Sequence, residues 1–227
     1  ESAVPVAVID ESVRRVLRVK KALGLFDNPY RSLDPEKERT RLRLPATVAL
    51  AREAARRSVV LLKNEGGLLP LPKAGRLIAL IGPFASDRVH LMGPWALWNE
   101  QRGVSLEQGL REALTDPASL EVVAGCGIEA PLEGGIAAAV AAAQRADVVV
   151  LSLGESDEMS GESAARADIG LPAAQQALAE AVAATGKPVV VVLQHGRALA
   201  LTGAVRAAPA ILAGWYLGNE SGHALAD

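Results

Sequence analysis

The chain has 227 residues, half of them hydrophobic and 22% charged, which is enough apolar sequence to bury the core of one large domain, or of one domain with an appendage. A net charge of −2 and an aromatic content of 3% give no support for binding to nucleic acid or to an anionic membrane surface. The single cysteine excludes an intramolecular disulfide, and no apolar run approaches the roughly 20 residues of a membrane span.

The first sixty residues predict helices separated by a linker. Residues 9–23 carry apolar side chains at helical spacing, with Asp10 as the expected cap and Gly24 at the end. Residues 25–44 are polar, aperiodic and interrupted by prolines, which is typical of a linker. Residues 45–62 are rich in Ala, Arg and Glu and predict a second helix.

From residue 77 onwards, apolar strands alternate with helices. Continuous Val, Ile and Leu runs predict strands buried on both faces at 77–81, 120–123, 148–153, 189–193 and 211–216. The intervening segments predict helices at 106–114, 136–145 and 172–184. This alternation predicts an α/β fold, a mostly parallel sheet of about six strands flanked by helices, for residues 46–227.

The most informative stretch is the acidic loop after the strand at 148–153. Four carboxylates fall within eight residues there, and an arginine and an aspartate follow: Glu155, Asp157, Glu158, Glu162, Arg166 and Asp168. An α/β sheet usually binds its ligands at loops of this kind. Carboxylates packed together repel one another unless water, a cation or a polyhydroxyl ligand lies among them. The plain alternative is a solvated acidic loop.

Other loops are expected at the same edge of the sheet. Residues 194–197 and residues 217–222 each follow a predicted strand. Trp95 and Trp98 follow the first strand, where a tryptophan either stacks on a sugar ring or covers the sheet edge. We therefore expect a polar ligand beside the acidic loop, with the other loops as walls.

Several common sites are not supported by the sequence. No dinucleotide fingerprint, P-loop or serine-hydrolase elbow is present. Cys126 lies between glycines after a strand and is expected to be a small buried residue rather than a nucleophile. The three histidines are far apart and lack ligand spacing, so we expect neither a metal nor a cofactor: His90, His195 and His223.

Six segments resemble glycoside hydrolase family 3, and they occur in the family's order. They read IDESVRRVLRVKKALGLFDNPY, LAREAARRSVVLLKNEGGLLPLP, IGPFASDRVHLMGPWALW, GESDEMSGESAARADIGLP, GKPVVVVLQHGRALAL and ILAGWYLGNESGHALAD. The third is similar to the periplasmic β-glucosidase branch. The resemblance covers essentially the whole chain, and several separate motifs make it specific.

The resemblance implies a division into parts. Residues 1–24 would be the end of the family's catalytic barrel domain, residues 25–45 a linker, and residues 46–227 its C-terminal α/β-sandwich domain, incomplete at the C-terminus. The chain also begins without a start methionine and stops inside what resembles a continuing helix. We therefore expect a piece of a longer polypeptide.

The resemblance also implies two catalytic carboxyl groups. In that family the barrel supplies an aspartate nucleophile, and the sandwich loop supplies a glutamate acid/base. The segment SGESAAR resembles the family's Ser-Gly-Glu motif and assigns Glu162, whereas LGE makes Glu155 the second candidate. We favour Glu162 because a residue at the strand end is better placed to support the loop. Arg166 and Asp168 are candidate substrate-binding residues, and a plain loop salt bridge is the alternative for Arg166.

The implied function is that of an exo-acting retaining β-glucosidase, which hydrolyses terminal non-reducing β-D-glucosyl residues by double displacement. Such an enzyme needs carboxyl groups about 5–5.5 Å apart. Its acid needs a pKa raised by burial or by neighbouring carboxylates. This chain would supply only the acid/base half and be inactive alone. The alternative is a noncatalytic carbohydrate-binding or structural module, if the chain exists without a barrel.

The expected partners follow from the same resemblance. They are a β-glucoside or oligosaccharide substrate, a barrel domain that carries the nucleophile, and a second copy in a homodimer. The resemblance implies a periplasmic or secreted location.

Overall fold

The computed structural model describes residues 4–96 and 103–227. The chain divides into two compact units, Glu1–Pro45 and Ala46–Asp227. Within the described residues of the first unit there are two helices, α1 at Val6–Ala22 and α2 at Pro35–Arg41.

The caps of these helices depart from the sequence prediction. The residue before α1 is Pro5, and no side chain caps this helix, so the cap predicted at Asp10 is wrong. Proline sets a backbone angle that suits a helix start, which explains the earlier beginning. α2 lies inside the predicted linker, because Asp34 accepts hydrogen bonds from the backbone N–H groups of Glu36 and Lys37.

The second unit is a sheet flanked by helices. The six strands of the described residues are β1 Val60–Asn64, β2 Ile78–Ile81, β3 Leu120–Val123, β4 Val148–Gly154, β5 Val189–Gln194 and β6 Ala210–Ala213. The helices that accompany them are α3 Pro45–Ser58, α4 Leu106–Ala113, α5 Gly135–Arg145, α6 Ala173–Ala183, α7 Gly203–Ala207 and α8 Ser221–Ala226. The predicted α/β class is confirmed.

The strand order is β1-β6-β5-β4-β2-β3. Every neighbouring pair is parallel except β1 with β6. After β2 the chain moves outward to β3 and then crosses back to β4, so the direction of strand order reverses between β2 and β4. Open parallel sheets bind ligands outside the carboxyl ends of the strands at such a reversal.

The central strand β4 contributes side chains to two apolar layers, because its side chains alternate between the faces of the sheet. Val149, Leu151 and Leu153 belong to the layer that α5 and α6 cover. Val148 and Val150 belong to the layer that includes residues of α4. All seven positions of β4 are buried. A one-residue shift would exchange the two layers, so packing fixes the register and the position of the loop that follows.

Two element predictions are wrong in detail. The helix predicted at 45–62 ends at Ser58, and residues 60–64 form β1 instead. The strand predicted at 211–216 ends at Ala213. Beyond it, Trp215 has a φ of 52°, in the left-handed region, which ends the extended backbone.

Within residues 4–96 and 103–227, no helix combines the length and the apolar character that crossing a membrane requires.

Candidate functional site at the carboxyl edge of the sheet

Four loops meet at the carboxyl ends of the parallel strands. They are the β2 loop (residues 82–96), the acidic loop (155–171), the β5 loop (195–202) and the β6 loop (214–220). The β2 loop and the acidic loop flank the reversal of strand order. The acidic loop predicted to bind a ligand therefore lies at the strand-order reversal, where open parallel sheets usually bind ligands.

The strand end that launches the acidic loop is held by a buried amide. Gln175 on α6 is fully buried. Its Oε1 accepts from the N–H of Gly154 at 2.8 Å, and its Nε2 donates to the carbonyl of Gly154 at 2.9 Å. Gly154 has a φ of 146°, and a Cβ there would overlap the carbonyl oxygen of Gln194. Only glycine suits this turn, so the loop starts from a fixed point.

Glu155 is an internal ion-pair anchor. Its side chain is fully buried. Arg166 Nη1 donates to its Oε1 at 2.8 Å, and Arg197 Nε donates to its Oε2 at 3.1 Å. Both oxygens are thus engaged by guanidinium groups, which is how a buried carboxylate is tolerated. The two arginines tie the acidic loop to itself and to the β5 loop.

Tyr216 in the β6 loop binds the backbone of the acidic loop. Its hydroxyl donates to the carbonyl of Ser156 at 2.6 Å. Burial, with the charges of Glu155 and Asp157, raises the pKa of the Tyr216 hydroxyl, so it stays protonated and remains a donor. A Cβ on Gly196 would lie 2.7 Å from Cε2 of Tyr216 and would also overlap Ser160. The acidic, β5 and β6 loops are therefore packed against one another here.

Glu162 lies on the exposed part of the acidic loop. It makes no hydrogen bond or ion pair with the residues that the structure describes. Gly161 has a φ of 107°, and a Cβ there would lie 2.6 Å from Cγ of Pro94 and 3.8 Å from Nε1 of Trp95. Ser163 has a φ of 62°, which is uncommon for a residue with a side chain. The backbone is thus held close to the β2 loop while the Glu162 carboxyl group remains accessible.

The four carboxylates do not form the mutually repelling cluster that the sequence allowed. Glu155 is enclosed by two arginines. Asp157 Oδ1 lies 3.7 Å from Nε2 of His90 in the β2 loop. Glu158 and Glu162 are exposed. Separate partners and solvent therefore accommodate these charges.

The two candidate substrate-binding residues have local partners. Arg166 pairs with Glu155, and its Nη2 donates to the carbonyl of Gly170 at 3.4 Å. Asp168 Oδ1 accepts from the N–H of Gly170 at 2.7 Å, which closes a turn before Pro172. Contact with substrate stays a prediction for both. Trp95 is 74% exposed, whereas Trp98 lies outside the described residues.

Three supporting residues were missed by the sequence reasoning: Gln175, Arg197 and Tyr216. Gln175 lies in an alanine-rich helix, and nothing in the sequence around it indicates a role at the site. Arg197 lies in a loop already expected to line the site, which was a usable indication. Its partner Glu155, however, is 42 positions away in sequence. Long-range pairing of this kind is not encoded in any local pattern.

Two other potentially reactive side chains, His195 and Cys126, are buried. Burial lowers the pKa of His195, and its Nδ1 donates to the carbonyl of Arg197 at 2.6 Å. Cys126 is 1% exposed, and burial raises its thiol pKa to about 11. Among residues 4–96 and 103–227, no three His, Cys, Asp or Glu side chains are grouped so as to hold a metal ion.

The fold and the site define an α/β domain with an acidic loop at its strand-order reversal. A family model described as the glycosyl hydrolase family 3 C-terminal domain matches residues 59–227. The chain therefore belongs to glycosyl hydrolase family 3.

Comparison with individual proteins supports this family assignment. The chain is 39% identical to a periplasmic beta-glucosidase of Salmonella typhimurium, over 99% of this chain and 32% of that protein. It is 36% identical to a beta-xylosidase of Formosa agariphila, over 96% and 31% respectively. The solved beta-glucosidase of Listeria innocua in complex with isofagomine superposes with a TM-score of 0.89 at 39% identity, covering 99% of this chain and 31% of that one. The chain spans about a third of the length of these relatives.

Proposed function

We propose that this chain is the acid/base half of an exo-acting retaining β-glucosidase that removes terminal non-reducing β-D-glucosyl residues. Residues 1–24 would end a barrel domain that carries the aspartate nucleophile, residues 25–45 would link it, and residues 46–227 would be the sandwich domain. The single observation that carries the proposal is the family match over residues 59–227. The accessible Glu162 beside the strand-order reversal supports it.

The contrast between the two candidate acids supports Glu162. A general acid must come within hydrogen-bond reach of the leaving-group oxygen. Glu155 has no exposed surface, and both of its oxygens already accept from arginines. Glu162 is exposed and free to meet a substrate that arrives from another domain. Ser163 also has a left-handed backbone conformation, which is uncommon for a residue with a side chain and occurs more often where a loop has a functional conformation.

The exposed indole of Trp95 supports a sugar as the ligand. It lies beside Gly161, one residue from the proposed acid. Aromatic faces pack against the apolar faces of sugar rings, and an indole 74% exposed is available for this. Arg166 and Asp168 would contribute polar contacts at the same edge.

The exposure of α1 supports a further domain. This helix buries none of its residues. Its large apolar side chains include Val13 at 50%, Val16 at 55% and Leu17 at 43% exposure. An amphipathic helix normally covers its apolar stripe against a neighbour. A barrel domain is the neighbour that the family resemblance implies.

A β-glucoside is the proposed substrate, and a β-xyloside is the competitor. The relatives include both a beta-glucosidase and a beta-xylosidase at similar identity. The two sugars differ by the exocyclic hydroxymethyl group, so the kcat/KM ratio for matched aryl glycosides would decide. The periplasmic relative supports a periplasmic or secreted location.

Replacement of the proposed acid tests the mechanism in the protein that joins this chain to its barrel. Glu162→Ala should lower kcat for phenyl β-glucoside by about 10²–10⁴-fold, because a poor leaving group needs protonation. A dinitrophenyl glucoside should still form the glycosyl-enzyme. Azide should then restore turnover and give β-glucosyl azide, since this anion attacks without a general base. Leaving-group series and product analysis measure both effects.

Two matched variants of the same loop serve as controls. Glu158→Ala removes another exposed carboxylate and should retain the wild-type leaving-group dependence. Glu155→Ala should lower activity toward all substrates without azide rescue, because it releases the loop. Azide rescue of Glu155→Ala in place of Glu162→Ala would reverse the assignment. A protein with intact binding but no turnover in any form would favour the noncatalytic alternative.

A further inference from the structure

His90 links the β2 loop to the acidic loop through both of its ring nitrogens. Nδ1 lies 2.8 Å from Oδ1 of Asp87, and Nε2 lies 3.7 Å from Oδ1 of Asp157. A neutral imidazole donates from only one nitrogen, whereas the imidazolium donates from both. Two carboxylates on opposite sides of the ring therefore favour the cation.

The ring is held in place by its own loop. Asp87 is largely buried, with 8% of its side chain exposed. Its carboxylate also accepts from the backbone N–H groups of Val89 at 3.2 Å and of His90 at 3.1 Å. The rings of His90 and Phe84 form a T-shaped pair with a centroid separation of 6.0 Å and an interplanar angle of 88°. The donor that faces Asp157 is thus preorganised on the β2 loop.

The acceptor lies five residues before Glu162. Asp157 opens a short 3₁₀ turn that ends at Met159. The N–H of Ser160 donates to the carbonyl of Asp157 at 3.3 Å, and the N–H of Ala164 donates to that of Gly161 at 3.3 Å. Displacement of Asp157 would therefore move the backbone that carries the proposed acid.

We propose that His90 is a positioning residue whose imidazolium latches Asp157, and with it the Glu162 segment, to the β2 loop. The proposal rests on the proposed function for its catalytic meaning, but the latch itself is a property of this chain. It predicts that the acidic loop is held while His90 is protonated and released when His90 loses its proton.

The carboxylates around the His90 ring all favour its protonated form. The hydrogen bond that His90 donates to Asp87 raises the pKa of His90 against the effect of burial, and the charges of Asp157 and Glu158 raise it further. The β6 loop also packs near this segment, but its buried Glu220 is bound by His223. The cation is therefore present below about pH 6.5, the ordinary pKa of histidine, and is lost as pH rises through the elevated value.

Amide hydrogen exchange on this chain tests the latch without any activity assay. At pH 6, His90→Gln should exchange the amides of Ser160 and Ala164 about fivefold faster than wild type. The difference should vanish above the pKa of His90, which NMR titration of the imidazole measures. Amides of β4 and β5 report whether the fold is intact. His223→Gln removes a second histidine paired with carboxylates and should leave the acidic loop unchanged.

A double-mutant cycle identifies the partner. Asp157→Asn should lower the pKa of His90 and speed loop exchange, and adding His90→Gln should have no further effect. Additive effects of the two changes, or loop exchange in His90→Gln equal to wild type at pH 6, would overturn the latch. In the complete enzyme, His90→Gln should lower kcat for poor leaving groups more than it changes KM. If the enzyme shows no glycosidase activity at all, the proposed function fails while the exchange result still stands.

Discussion

The buried carboxylate of Glu155 has a structural role. It sits directly after the strand end that Gln175 and Gly154 fix, and its two oxygens bind arginines from different parts of the edge. The arginine side chains remain 21% and 23% exposed, whereas the glutamate is fully buried. The carboxylate thus organises the loop, and Glu162 remains the proposed acid.

Glu155→Gln should therefore destabilise the domain strongly. The substitution retains size but leaves two guanidinium groups around a neutral amide, and breaking a buried ion pair costs about 3 kcal/mol. Urea unfolding of the chain measures the change in free energy. Glu158→Gln removes an exposed charge from the same loop and should change stability by less than about 0.5 kcal/mol. Equal effects of the two variants would contradict the anchor role.

His223 on α8 links this helix to α4, which lies on the face of the sheet opposite α5 and α6. Its Nε2 lies 2.8 Å from Oε2 of Glu112 on α4, and its Nδ1 lies 2.6 Å from Oε2 of Glu220, the residue before α8. Burial lowers the pKa of His223, but the hydrogen bonds and charges of the two glutamates outweigh it, so the net pKa is raised. The link that His223 makes between α4 and α8 therefore depends on pH.

His223→Gln should reveal this dependence. A folded pKa above the unfolded value of about 6.5 means that the stabilisation is fully present below pH 6.5 and is lost as pH rises through the folded value. The wild type should exceed the variant by about 1 kcal/mol in the free energy of unfolding at pH 5.5. The difference should shrink by pH 9 in denaturant melts. A difference that grows with pH would contradict the assignment.

Local patterns predicted most elements but not their exceptions. The run of Val, Ile and Leu at 148–153 marks β4 because a strand buried on both faces needs no polar alternation. The helix predicted at 45–62 includes residues 60–62 because Ala, Arg and Glu precede them, yet these residues belong to β1, which pairs antiparallel with β6 about 150 positions later. Tertiary pairing overrode helix propensity there. The same limit hid Arg197, whose partner is distant in sequence.

At the scale of the whole molecule, the site is open on one side. The four loops form an edge with an accessible carboxyl group, but the proposed nucleophile belongs to a barrel that the family resemblance implies. A retaining glycosidase needs its second carboxyl group about 5–5.5 Å from the acid. The relatives that this chain matches are about three times its length. Catalysis is therefore proposed as a joint property of two domains.

The 227-residue chain alone should not hydrolyse aryl β-glucosides, because it carries the proposed acid without a matching nucleophile. An activated dinitrophenyl glucoside is the sharpest substrate for this test, since its leaving group needs little protonation and any nucleophile would be detected. The same assay on the chain joined to its barrel provides the positive control. The chain is purified from a host lacking β-glucosidase, which removes a contaminating host enzyme as a source of activity. Hydrolysis by that purified chain would mean that this domain holds a nucleophile as well as the proposed acid, and the two-domain site would be wrong.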